Sequence, residues 1–354
     1  MFEVNTVDIA ELLRQAFVDD ASDIHITAGA RPMFRIHGFL CEAEEKVLEP
    51  SDTEQLIRSL LTEDQFVRLR DTGDIDCAYS LKGVSRYRVN AYKQRGCYGA
   101  AIRVVPESVP KFESLGLPPV LREFVQKSQG LVLVTGPTGH GKSTTLAALV
   151  DVINCTESRH IITLEDPIEY LHHHECSVVD QREVGVDTRS FADGLRAALR
   201  QDPDVIVIGE MWDLETIQTA VTAAETGHLV LATLHTSSAL QTVERIMNVF
   251  PPHQQAQIRI QLASVLIGIV NQRLLPQASG DGRVAACEVL INTPAVANLI
   301  RTQKVYQLQT VMQTSKAHGM QTMEEQLQRL LERGLIDQHR AAWAQLSIRN
   351  GLLD

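Results

Sequence analysis

The sequence predicts an α/β protein in two parts: a mixed α+β domain over residues 1–105, a linker at 106–119, and a strand–helix domain over 120–354 with a helical C-terminal tail. Three observations carry that expectation. Short, mostly alternating apolar runs fill the first third, proline and glycine thicken between Pro106 and Pro119, and continuous apolar runs then alternate with helical segments. At 354 residues, 44% apolar and 22% charged, the chain can bury the cores of two domains.

In the first part, "TVDIAELLRQAFVDD" has helical spacing at Ile9, Leu12, Leu13, Ala16 and Phe17. "SDTEQLIRSLLTEDQFVRLRD" opens with a capping signal and reads as another helix. Around them "SDIHIT", "PMFRIHG", "IDCAYSL", "SRYRVNAYKQ" and "GAAIRVV" suit the strands of an antiparallel sheet. In the second part "GLVLVTG", "HIITLED", "VIVIGE" and "HLVLATLH" are unbroken apolar runs, the pattern of strands covered on both faces. "SFADGLRAALRQ" and "LETIQTAVTAAETG" separate them as helices. The tail helix "TMEEQLQRLLERG" starts with Thr322 and Glu325 at capping-box spacing and stops at Gly334.

Between the first strand and its helix lies "GPTGHGKSTT", the pattern G-x-x-x-x-G-K-[ST] in the strand–turn–helix setting it requires. Gly136, Gly139 and Gly141 can take backbone angles that turn successive N–H groups toward phosphate oxygens. Gly136, Pro137, Thr138, Gly139, His140, Gly141, Lys142, Ser143 and Thr144 are therefore the candidate nucleotide-binding residues, with Lys142 reaching the outer phosphates and Ser143 ligating Mg2+. His140 fills a tolerant position at the rim. The helix start adds its positive dipole end to the anion site.

Three other apolar runs end in polar residues: Glu165 with Asp166, Glu210, and His235. A strand-end carboxylate is commonly a cap or an ion-pair partner, but several at the strand ends of one phosphate-binding domain point to a shared site. There a carboxylate can take a proton from attacking water or hold a metal's water shell, and a neutral imidazole can donate to a γ-phosphate.

Composition excludes several classes. A net charge of −11 opposes a large nonspecific nucleic-acid surface. No apolar run is long enough for a membrane span, and the N-terminus lacks a signal pattern, so a cytoplasmic protein is expected. Cys41, Cys77, Cys97, Cys155, Cys176 and Cys287 form no C-x-x-C pair and read as reduced thiols. "HHH" at His172–His174 reads as a solvated turn, because three consecutive side chains do not converge on one ion. The stripe Ile258, Leu262, Val265, Leu266 and Ile269 reads as core packing or a subunit contact.

The set "GPTGHGKSTT", "TLEDPIEY", "DPDVIVIGEMWD" and "TGHLVLATLHTSSA" resembles the Walker A, Asp box, Walker B and His box of the secretion-type hexameric ATPases. "SDIHITAGARPMFRIHG", "QREVGVDT" and "GMQTM" are similar to the narrower group of PilT-type retraction ATPases of type IV pili, and the likeness runs from Ser22 to about Gly334. The resemblance implies a PAS-like N-terminal domain, a RecA-like ATPase domain and a homohexameric ring at the inner-membrane pilus base. It makes ATP and Mg2+ the ligands, Glu165 the general base, Glu210 the support of metal (with Ser143, partly through water) and lytic water, His235 the γ-phosphate sensor, and His228 a coupling residue. Arginines of the N-terminal domain would complete the site. Arg88, Arg95 and Arg103 lie in the matching region, with Arg86 also eligible, and the choice among them stays open. ATP would draw these arginines onto the triphosphate, hydrolysis would release them, and the motion would pass to an inner-membrane platform protein that extracts pilin.

Two positions depart from the pattern. Trp212 stands where G-E-M-R-D has arginine, and Ala297 stands where A-I-R-N-L-[IV] has one. An indole cannot replace a guanidinium's fork of donors. The Ala297 departure resembles PilU-type accessory paralogues that work beside a second ATPase, and both departures keep open a nucleotide-binding ring subunit that hydrolyses poorly.

Overall fold

The computed structural model describes residues 7–36, 39–44, 46–105, 108–280 and 282–342. They fall into two compact units, the first comprising the chain to Ser108 with Glu169–Leu171, the second the remainder from Val109.

The first unit contains α1 (Ile9–Val18), β1 (Ala21–Ile26), β2 (Met33–Ile36), β3 (Phe39–Glu42), α2 (Pro50–Leu60), α3 (Glu63–Thr72), β4 (Asp74–Leu81), β5 (Ser85–Gln94) and β6 (Cys97–Val105). The strands form one antiparallel sheet in the order β3-β2-β1-β6-β5-β4. Its core joins Leu12, Leu13 and Leu56 of the helices to Ile24, Val89 and Ile102 of the strands. The buried Tyr87 hydroxyl donates to Leu13 O at 2.8 Å. The span expected as one helix from Ser51 to Asp71 is two. Glu49 and Asp52 form the first capping box, and Thr62 with Gln65 forms a second that starts a new helix after extended Leu61. Strand β3 has no counterpart among the expected strands, because all four of its residues are exposed and leave no alternating pattern to read.

The second unit contains α4 (Val120–Val125), β7 (Gly130–Thr135), α5 (Lys142–Thr156), β8 (His160–Glu165), β9 (Val178–Glu183), α6 (Phe191–Ala198), β10 (Val205–Ile208), α7 (Leu214–Glu225), β11 (Leu229–Leu234), α8 (Ala239–Val249), α9 (Pro252–Val265), β12 (Leu266–Pro276), β13 (Arg283–Ile291), α10 (Pro294–Arg301), α11 (Leu308–Thr314) and α12 (Met323–Glu332). Its sheet runs β13-β12-β7-β11-β10-β8-β9, parallel except for the β12–β13 pair. Leu131, Ile206 and Val230 pack on one face and Val132, Val205 and Leu231 on the other, which is why these strands read as unbroken apolar runs. Of the stretch expected to link two domains, Pro106 and Glu107 lie outside the described residues. Residues 109–119 belong to the second unit, where Phe112 and Leu117 are buried among Leu121, Leu146 and Ile153.

The tail forms as its sequence predicts, with the Thr322–Glu325 capping box at one end of α12 and Gly334 at φ 68° beyond the other. The apolar stripe divides. Ile258, Leu262 and Val265 lie on α9, Leu266 and Ile269 on β12, and all five are core residues. Ala297 is also buried, facing inward from α10 with Val296 and Ile300. Ala297→Arg should therefore lower stability by about 1–3 kcal/mol through overpacking, read as a reduced Tm.

His173 and His174 are exposed, but His172 is partly buried, and its N–H donates to Gln181 Oε1 at 2.8 Å. Burial pushes its imidazole from the usual 6.5 down to about 4, with Asp151 opposing and His173 reinforcing. An unfolded chain takes up a proton near pH 6.5 that the folded chain refuses until about 4, so this group costs stability as pH falls through that window. His172→Asn should flatten the loss of urea midpoint between pH 7 and 5.

Candidate active site

Strand β7 delivers the chain to Gly136 in the middle of the sheet, and α5 starts at Lys142. Gly136, Gly139 and Gly141 have φ of 146°, 77° and 80°. A Cβ at Gly136 would sit 2.2 Å from Gln272 O, so only glycine permits this approach of loop to strand. Gly141 caps α5 without a side-chain acceptor, which leaves the first-turn amides as the donors of an anion site. The Lys142 ammonium, on a side chain that is largely buried, donates to Gly136 O at 3.0 Å and Pro137 O at 2.8 Å. Ser143 and Thr144 follow in the same turn.

His235 joins this loop to the next strand end. Its Nδ1 lies 3.2 Å from Thr138 Oγ1 and 3.4 Å from Lys142 Nζ, and its Nε2 lies 3.3 Å from Glu210 Oε1. Burial and then the Lys142 charge lower the imidazole's pKa, with Glu210 opposing, so the ring is neutral near pH 7. With the proton on Nε2, which faces Glu210, the Nδ1 lone pair is left to accept from Thr138 or Lys142. Glu165, at the end of β8, is held separately. Its Oε1 accepts from Thr163 Oγ1 at 2.6 Å and Gln181 Nε2 at 3.0 Å.

The second unit thus brings together Lys142, His235 and Glu210 and fixes Glu165 on a neighbouring strand. It does not bring His228 to them. That residue precedes β11 while His235 follows it, and the His228 Nδ1 contacts Ala223 O at 2.9 Å. Arg88, Arg95 and Arg103 are exposed residues of the first unit. Arg88 and Arg103 are direct partners across β5 and β6, and Arg103 Nε donates to Asp23 Oδ1 at 3.0 Å. Arg95 and Gly96 form the intervening two-residue turn with φ of 51° and 81°. Trp212 is exposed and lines a cavity of about 490 Å³ with Glu210, His235, Gln241, Glu244 and Arg245.

Sequence reasoning missed the residues that hold this site. Gln272 accepts from Thr145 Oγ1 at 2.7 Å and donates to His140 O at 2.9 Å, while Leu274 N donates to His140 Nδ1 at 3.0 Å. Arg283 donates to Gly139 O at 3.2 Å. The available signal was "NQR", three consecutive polar residues, Asn271, Gln272 and Arg273, within an apolar strand, all of them buried.

Residues 3–341 match the family described as type II/IV secretion system protein. The chain is 45% identical over 335 residues to the type IV pilus retraction ATPase PilT of Pseudomonas aeruginosa, covering 95% of this chain and 97% of the relative. It is a PilT/PilU-type secretion ATPase. The type IV pilus ATPase PilU of the same organism is 41% identical over 93% of this chain and 86% of its own. Among solved structures, the pilus retraction motor PilT with bound ADP superposes with a TM-score of 0.90 at 48% identity, covering 96% of this chain and 97% of that one. As a secretion ATPase the chain is a P-loop ATP hydrolase with a RecA-like core, and Lys142, Glu165, Glu210 and His235 occupy its strand and helix ends.

Proposed function

We propose that this ATPase works as a homohexamer at the inner-membrane base of a type IV pilus and couples ATP hydrolysis to pilus retraction. The observation that supports it most is His235, which touches the phosphate loop through Thr138 and Lys142 and the next strand end through Glu210. A triphosphate competing for the Lys142 ammonium would free the imidazole to respond to the γ-phosphate. Glu165, held by Thr163 and Gln181, is the base toward water. The hydroxyl of Ser143 and the carboxylate of Glu210 are hard oxygen donors that fit Mg2+, partly through water. When bound, the ion would neutralise charge between the β- and γ-phosphates.

Exposed Arg88, Arg95 and Arg103 are proposed to supply the cations that complete the phosphate site. Arg88 lies directly opposite Arg103, and like charges directly opposite in a sheet cost stability that a bound anion would help recover. Asp23 already partners Arg103, which leaves Arg88 and Arg95 as the stronger candidates. Coupling through His228, a platform protein as the recipient of force, and a PAS-like kinship of the first unit belong to the same proposal. Among the described residues no helix is long and apolar enough to cross a membrane.

Pilus dynamics in a deletion strain test the reading: the parental chain should restore retraction and a hydrolysis-dead chain should not. Exposed Trp212 beside Glu210 favours a second reading, an accessory motor that needs a paralogous ATPase or a ring that hydrolyses poorly alone. Turnover of the purified protein with and without that paralogue separates the two.

A further inference from the structure

The β12–β13 hairpin carries two polar side chains into the core beside the phosphate loop. Asn271 and Glu288 are in register across it and both are buried. Directly opposite residues of an antiparallel pair project from the same face. Asn271 Nδ2 donates to Thr135 Oγ1 at 3.0 Å, just before Gly136, and to Thr236 O at 2.8 Å, just after His235. Glu288 Oε1 accepts from Ala239 N at 2.6 Å, the first residue of α8, while the residues on either side of it in β13 grip Gln321, two residues before α12: Gln321 Nε2 donates to Cys287 O at 2.7 Å and Val289 N donates to Gln321 O at 2.8 Å. The segment between these grips is short. Ser237 bonds to Gln241, and Ser238 caps α8 by accepting from Gln241 N at 3.2 Å. A carboxylate buried this deeply is costly unless strong donors meet it. Its donor opens the helix that leads out of the His235 loop, and its neighbours in β13 hold the segment that leads into the tail.

We propose that Asn271 and Glu288 are a pair of positioning residues that hold the His235 loop at both ends and tie its position to the N-terminus of α12. Asn271 sets the loop against the base of the phosphate site. Glu288 holds the amide of Ala239 while Cys287 and Val289 beside it hold Gln321, so a shift of His235 toward a phosphate is felt at the head of the tail helix. The inference rests on the reading of His235 as a γ-phosphate sensor.

The test uses the full chain and compares Glu288→Gln, Asn271→Asp and His235→Ala. Glu288→Gln places an NH2 donor where an acceptor oxygen stood, and Asn271→Asp removes the NH2 that donates twice. For Glu288→Gln and Asn271→Asp the expected result is kcat lowered about tenfold, with KM for ATP and ADP affinity within about twofold of the parent. Amide exchange of residues 323–332 should differ between ADP and a non-hydrolysable ATP analogue in the parent, and that difference should vanish in Glu288→Gln. A kcat kept within about twofold while His235→Ala loses turnover overturns the positioning role alone. So does a joint fall of kcat, ADP affinity and Tm, the mark of a packing defect, or tail exchange in the parent that ignores the nucleotide. If His235→Ala itself turns over at the parental rate, the sensor reading fails and this inference goes with it.

Discussion

Lys142→Ala protein should release no phosphate from ATP above background and should bind ADP at least about 100-fold more weakly than the parent. Lys142 begins α5 and is largely buried, so its ammonium is held where water screens it little. In the described structure that ammonium donates to the Gly136 and Pro137 carbonyls. A bound phosphate would compete for the same donors, and charge-assisted bonds to an anion are the stronger ones. Alanine removes the charge, and His235 Nδ1 also loses a donor 3.4 Å away. Two losses then add: the outer phosphates are no longer gripped, and the imidazole no longer senses their arrival through the lysine. A fluorescent ADP titration and a phosphate-release assay read both, and circular dichroism checks that the fold persists. Turnover within about tenfold of the parent would mean that the amides at the start of α5 carry the phosphates by themselves.

The phosphate loop was legible because its requirements are local. A strand, three glycines with positive φ and a helix start all lie within residues 130–156, and each leaves its own trace in the sequence. The tail helix was legible for the same reason, since Thr322 and Glu325 satisfy one another three residues apart. What the sequence concealed are the partners brought from far along the chain. Gln272 reaches Thr145 and His140 only because β12 pairs with β7, and Gln181 reaches Glu165 only because β9 pairs with β8. No spacing rule predicts which strand will lie beside which. Helix α2 ended early because a second capping box at Thr62 competes locally with continuing apolar periodicity, and local hydrogen bonds won.

Glu165→Gln should keep ATP and ADP affinity within about twofold while lowering kcat by about two to four orders of magnitude. The carbonyl of glutamine can still accept from Thr163 Oγ1 and Gln181 Nε2, so the side chain stays where these two donors hold it. Only basicity is lost, which separates chemistry from binding more cleanly than truncation to alanine. The same pair of donors limits the freedom of the carboxylate: Oε1 is engaged twice, which fixes the direction in which the group can meet a water. Glu210 is engaged differently, paired through Oε1 with the neutral His235 ring, and that contact suits a group that supports metal and sensor. Glu210→Gln should consequently disturb ATP affinity and turnover together, whereas the Glu165 variant disturbs turnover alone. Isothermal titration with ATP, followed by single-turnover measurement of phosphate release, distinguishes them. Parental hydrolysis by Glu165→Gln would remove it as the base and move that role to Glu210.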